Sequence, residues 1–232
     1  TPRAKPPFPQ AVGLFGKPTI VNNVESLCCV PHIVKNGGDW FLNLSISKEG
    51  GTKLYGISGN VKNPGVWELP LGTSMRTILE DYAGGMKEGY QFRAALPGGA
   101  STDLLTTDHL DDMLDYQTAM DNGSRLGTGM LIVLDDQTSV VGFVANLESF
   151  FAQESCGWCT PCRDGIPYVQ KTLRNMYEGN GKPGDIEILE EYTNYLAPGK
   201  TFCAFAPGAM EPLQSALRHF REDFEACIPE PA

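Results

Sequence analysis

The chain reads as α+β, a small sheet-and-helix module of the β-grasp type followed by a four-helix bundle that carries a cysteine cluster. Three observations point there. Between about residues 52 and 136, short apolar runs are separated by turns rich in glycine and proline, the pattern of strands. Beyond Asp136 the apolar spacing changes to one in three or four and stays there, the pattern of amphipathic helices. At one break in that helical pattern, ESCGWCTPCRDG sets Cys156, Cys159 and Cys162 at regular intervals.

Composition narrows the function classes. With 232 residues, 41% of them apolar, the chain can bury a core. No stretch approaches the ~18 to 20 apolar residues that cross a bilayer, and the start, TPRAKPPFPQ, has no apolar signal segment. The net charge of -10 opposes phosphate backbones, which argues against nucleic acid as a partner. Seven cysteines, three of them crowded together, fit metal or redox use in a reducing, cytoplasmic setting better than a disulfide framework. A first residue of Thr before a proline-rich run reads as a cut inside a longer polypeptide.

Residues 1 to 18, with Pro2, Pro6, Pro7, Pro9 and Pro18, read as extended connecting chain. From Asn22 to Phe41, Val24, Leu27, Val30, Ile33 and Val34 recur at helical spacing, and Pro31 is expected to interrupt that helix. KLYGISG (53–59), VWEL (66–69), FRAAL (92–96) and MLIVL (130–134) are predicted strands. Between the second and third, Thr73 or Ser74 caps a predicted helix through Tyr82 that ends at Gly84-Gly85. Four helices then follow on the stripes Val140 to Phe151, Val169 to Tyr177, Ile188 to Leu196 and Leu213 to Phe224. The expected division is 1–50, 51–136 and 137–232.

The junctions of that bundle locate a fourth thiol. ESCGWCTPC joins the first two helices and APGKTFCAFAPGAMEP the last two. In an antiparallel bundle these junctions share one end, so Cys203 can meet Cys156, Cys159 and Cys162. Three closely spaced thiolates and one remote thiolate suit a 4Fe-4S cluster, whereas zinc sites more often use two separated pairs. Pro161 fits the first position of the second helix with Thr160 as its cap, leaving free amides toward an anionic group.

KPPFPQAVGLFGKPTIVNNVESL, VKNPGVWELPLGT, ESCGWCTPCRDG and PGKTFCAFAPGAMEPLQSAL together resemble the NADH-binding flavoprotein subunits of bacterial respiratory complex I, the NADH-quinone oxidoreductase, over essentially the whole chain. Related diaphorase flavoproteins of NAD-linked hydrogenases and formate dehydrogenases share this architecture. The resemblance implies a 4Fe-4S cluster on Cys156, Cys159, Cys162 and Cys203, beside an FMN that takes hydride from NADH, with electrons passing onward to quinone. It makes residues 51–136 an SLBB module and brings Val21, Asn22 and Asn23 to the flavin; Ser26 stands where threonine is expected. Implied partners are the thioredoxin-like 2Fe-2S subunit and the large iron-sulfur subunit of the peripheral arm, on the cytoplasmic side of the membrane. The glycine-rich loops for most of the FMN and NADH sites are not among these residues. The chain alone is therefore expected to be inactive with NADH.

Other readings stand beside these. Asn22-Asn23 taken alone suit a turn or a helix cap. Cys28, Cys29 and Cys227 suit inert thiols, and His32, His109 and His219 structural or solvated roles. Arg163 and Lys200 flank the cysteines and can tune them by charge. A structural adaptor holding one zinc on the same four cysteines is the alternative function.

Overall fold

The computed structural model describes residues 6–229; residues 1–5, with Pro2 of the predicted connecting chain, and residues 230–232 lie outside it. From Pro6 to Asn23 the chain forms turns and one 3₁₀ turn, Leu14–Gly16. Helix α1, Val24–Asn36, begins at Asn23, whose Oδ1 accepts the Ser26 N–H at 3.1 Å. Pro31 does not interrupt it as predicted. The ring removes one N–H donor, and the carbonyl it frees lies on exposed helix where water can serve it. Helix α2 spans Gly38–Leu42. No residue from 6 to 50 is buried, and the stripe predicted for α1 points outward, with Val24 73% and Val34 81% exposed. Glu25 holds α1 to the sheet through Lys53 Nζ and the Leu54 N–H, both at 2.9 Å.

The sheet contains β1 (Thr52–Ser58), β2 (Gly65–Pro70), β3 (Phe92–Leu96), β4 (Leu105–Thr106) and β5 (Met130–Asp135), in the order β2-β1-β5-β3-β4. Its central pair, β1 and β5, is parallel, with Ile57 opposite Leu131; the remaining pairs are antiparallel. Gly59, just after β1, has φ +119°, and a Cβ there would sit 2.8 Å from the Val133 carbonyl oxygen, so only glycine fits. Ser74 caps α3 (Met75–Thr77) by accepting the Thr77 N–H, and the helix widens into a π turn over Ile78–Tyr82. Strand β4 and α4 (Tyr116–Asp121) escaped the sequence reading because neither is long enough to show a period.

The alternation of strand side chains sends the sheet into two cores. Ala95, Leu131 and Val133 join Tyr55, Ile57 and Ile78 on one face. Ala94, Leu96 and Leu134 face the other way, into a core built by α5 (Val140–Glu154), α6 (Thr160–Tyr177), α7 (Asp185–Tyr195), α8 (Phe205–His219) and α9 (Arg221–Glu225). Within it α5 packs on α6 and α8, while α7 packs on α6 and α8. Helix α8 starts well before the predicted junction ends, running through Pro207 and Pro212. Pro207 lies in the first turn, where an N–H has no intrahelical partner to lose.

Sheet and helices are joined at Asp135, which is buried. Its carboxylate accepts the Gln137 and Thr138 N–H groups at 3.0 and 2.9 Å, the Thr138 hydroxyl at 3.0 Å and Asn60 Nδ2 at 2.9 Å. Burial pushes the acid up, but the bonds from Asn60, Gln137 and Thr138 outweigh it and hold the carboxyl below its ordinary value. A depressed acid contributes stability that is present above the ordinary carboxylate range and lost as pH falls through the folded value. Asp135→Ala should therefore cost about 2 to 3 kcal/mol at pH 7 in urea unfolding, and the gap to the unsubstituted chain should narrow in acid.

Glu148 is the opposite case. It lies one helical turn from Val144 and from Phe151, is 0% exposed, and neither carboxylate oxygen has a hydrogen-bond partner. Burial pushes its acid well above the ordinary glutamate value. The unfolded chain ionises first as pH rises, so this group removes stability from the ordinary glutamate range upward. Replacing it by an apolar residue should help: Glu148→Leu is expected to gain about 1 to 3 kcal/mol at pH 7 and distinctly less at pH 4, measured by the same unfolding.

Candidate metal centre

The cysteine loop begins where α5 ends. Ser155 closes that helix, and Gly157, at φ +74°, turns the chain in the left-handed region where glycine is at no disadvantage. Cys159, rather than Thr160, occupies the cap position of α6; Thr160 and Pro161 are its first two residues, and no side chain caps it. Thr160 is displaced from the cap because the extended backbone that a cap needs falls one residue earlier. Cys162 is buried in the first turn of α6 and packs in the helical core. Cys156 is exposed and Cys159 half-buried.

The second junction, residues 197–204, runs from α7 to α8. The Lys200 N–H donates to the Ala197 carbonyl at 3.2 Å and the Thr201 hydroxyl to the Cys203 carbonyl at 2.9 Å, which fixes the exposed Cys203 just before α8. Like α6, α8 has no side-chain cap. The two junctions touch: the Phe202 N–H donates to Cys159 Sγ at 3.4 Å. Burial pushes the Cys162 thiol up, and the charges of Cys203, Cys156 and Cys159 push it further, against the Ser155 hydroxyl 3.1 Å away. The two cysteine junctions thus meet at one end of the helices, through the Phe202 amide and Cys159 Sγ.

The donor set fits a 4Fe-4S cluster. It is all thiol, faces two uncapped helix N-termini whose amides favour negative charge, and has an amide and a hydroxyl already directed at sulfur. Among the described residues no three His, Cys, Asp or Glu side chains close tightly enough on one point for a single metal ion.

Arg163 is tied into the loop through the Gly157 carbonyl at 3.2 Å, Thr160 Oγ1 at 3.4 Å and Asp164 at 3.1 Å, while Lys200 makes no ion pair among the described residues. Ser155 and the Phe202 amide were missed by sequence reasoning; a hydroxyl directly before the first cysteine was the available signal for Ser155. The thiols of Cys29 and Cys227 donate to the carbonyls of Glu25 and Asp223, one turn back. His109 Nδ1 accepts the Thr106 N–H. Cys28, Cys29 and His32 line a cleft of about 800 Å³ with Trp40 and Glu68, between α1, α2 and the first two strands. Val21 and Asn22 are exposed at the start of α1, beside Asn23 at its cap.

Residues 142–227 match the NADH-ubiquinone oxidoreductase-F iron-sulfur binding region, and residues 54–103 match the SLBB domain. The F subunits of NADH-quinone oxidoreductase in Salmonella typhimurium (strain LT2) and in Escherichia coli (strain K12) are each 60% identical to this chain over 230 residues. The chain is similar to these F subunits along nearly all of its own length. Those matches cover 99% of the chain and 52% of each relative, so it spans about half the length of the relatives it matches. The crystal structure of an NAD+-reducing NiFe hydrogenase in the H2-reduced state superposes with a TM-score of 0.84 at 32% identity, covering 100% of this chain and 39% of that one. All four clustered cysteines fall inside the family's iron-sulfur region.

Proposed function

We propose that Cys156, Cys159, Cys162 and Cys203 hold a 4Fe-4S cluster that carries electrons from NADH-reduced FMN toward quinone, as the electron-transfer part of an NADH:quinone oxidoreductase. The observation that carries this is the meeting of two cysteine-bearing junctions about 40 residues apart in sequence, with the Phe202 amide on Cys159 Sγ at 3.4 Å. When bound, FMN supplies hydride acceptance from NADH and the cluster supplies one-electron transfer. The chain's own residues ligate and tune. Ser155 and the Phe202 N–H offer hydrogen bonds to sulfur, which favour a reduced, more negative site, and the uncapped ends of α6 and α8 add positive field.

Helices α5 to α8 are read as a four-helix bundle that serves the metal centre, 51–136 as the SLBB module, and 1–50 as the tail of a flavin-binding domain. The outward apolar side chains of α1 support the last assignment, since they suit burial against further protein. Val21, Asn22 and Asn23 are assigned to the flavin. Asn23 Oδ1 is taken by Ser26, which leaves its amide NH2 and the Asn22 side chain for hydrogen bonds.

Trp158 and Phe202, 65% and 86% exposed, rim the cysteines with apolar surface suited to a partner protein. The thioredoxin-like 2Fe-2S subunit and the large iron-sulfur subunit are the partners this role requires, on the cytoplasmic side of the membrane. No helix among the described residues is long and apolar enough to cross a membrane. Sequence identity of 60% with the quinone-linked relatives, against 32% with the hydrogenase, favours the respiratory assignment.

Two experiments test these assignments. Cys203→Ala should abolish a stable cluster in iron- and sulfide-reconstituted protein, whereas Cys227→Ala should retain it. An unchanged iron content and EPR signal in Cys203→Ala would remove Cys203 from the ligand set. In a chain of the relatives' full length, Asn22→Ala combined with Asn23→Ala should lower FMN content and leave iron unaltered; full flavin retention would return both residues to a capping role.

A further inference from the structure

Helix α8, which delivers Cys203, buries two faces. Ala206, Ala209, Leu213 and Ala216 point into the helical core, as its apolar spacing requires. The second face recurs every three or four residues at positions 208, 211, 215 and 218, Gly208 followed by the polar Glu211, Ser215 and Arg218. All of it lies against two short loops of the sheet module.

The contacts run almost the length of the helix. A Cβ on Gly208 would stand 3.3 Å from Ser101 Cβ and 3.4 Å from Arg125 Nη2, so helix and loop are already in close approach there. One turn on, Arg125 grips Glu211 through Nε and Nη2 at 2.9 and 2.8 Å while Nη2 also donates to the Ser101 carbonyl at 2.7 Å. Ser215 Oγ, fully buried, accepts the Leu104 N–H at 2.9 Å. Asp103, also buried, accepts from Gln214 Nε2 at 2.9 Å and lies 3.5 Å from Arg218.

An apolar face alone fixes a helix poorly along its axis, because one methyl group resembles the next. Directional bonds at three successive turns do fix it. A slip of one residue along α8 moves everything at its N-terminus by ~1.5 Å, whereas metal-ligand distances tolerate only ~0.2 Å. The link to the ligand is short and stiff: the Gly208 N–H donates to the Ala204 carbonyl at 3.0 Å, and Ala204 follows Cys203 directly.

We propose that Arg125, Asp103 and Leu104 of the sheet module, with Glu211 and Ser215 on α8, are positioning residues for the metal centre: they set the axial register of α8 and so the height of Cys203 against the other three thiols. This rests on the assignment of Cys203 as a ligand and gives the module a role in that site.

The test compares Arg125→Met and Ser215→Ala with Arg93→Met in iron- and sulfide-reconstituted protein. Arg93 pairs with Asp223 at 2.6 Å and lies over the Phe220 ring at 4.6 Å, where α8 ends and α9 begins, so its loss weakens another seam between sheet and helices at the end of α8 far from Cys203. Iron release to a chelator and the EPR spectrum of the dithionite-reduced cluster are the readouts, with unfolding midpoints to match the variants for stability. Arg125→Met and Ser215→Ala should each speed iron release about tenfold and alter the EPR line shape, while Arg93→Met should change neither. Parental iron release and spectra in both α8-seam variants would overturn the proposal, as would an equal effect from Arg93→Met. Cys203→Ala is run alongside: loss of its cluster with unaffected seam variants sinks the positioning role alone, and retention of its cluster sinks the ligand assignment and the positioning role with it.

Discussion

The departure of the first helix from the sheet hangs from the carboxylate of Asp135. A strand that ends in the middle of a sheet must hand its chain to a helix without leaving amides unsatisfied. Asp135 does so by taking two N–H groups and a hydroxyl of the following turn, with Asn60 bringing in the loop after β1. The direction in which α5 departs is thereby set by the central strand. Since α5 ends at Ser155, the first cysteine junction inherits its position from the sheet through fifteen residues of helix.

The second junction is placed independently, through α8 and the polar seam on its outer face. The site is therefore a meeting of two arms, each anchored to the same module at a different point. Both arms are anchored on the same module, the arrangement that the proposed ligand set needs. The buried, partnerless Glu148 in α5 shows that the same core is not optimised for stability throughout.

Much of this was legible in the sequence where local chemistry decides the outcome. The strand Phe92–Leu96 is bounded as read, because its apolar run stops at turn residues on both sides. The nearness of the Cys203 junction to the first cysteine loop was legible because the helical period makes loop positions predictable. The start of α8 was not: Phe205-Ala206-Pro207-Gly208 looks like loop, and it is helix with Ala206 packed in the helical core and Gly208 close against Ser101 and Arg125. Pro31 misled for the complementary reason, since the loss of one backbone bond weighs little on an exposed helix. The Phe202 amide on Cys159 could not be read, because it exists only once the two junctions have met.

The four thiols are not equally sheltered. Cys162 is sunk in the helical core, while Cys156 and Cys203 stand at the surface. A ligand set open on one side can be filled from that side, with iron and sulfide reaching it while the helices stay packed. For the proposed cluster, assembly on the folded scaffold and rebuilding in place are then the expected behaviour. The same opening admits oxidants, so the lifetime of the centre in air is governed by whatever surface comes to lie over Trp158 and Phe202.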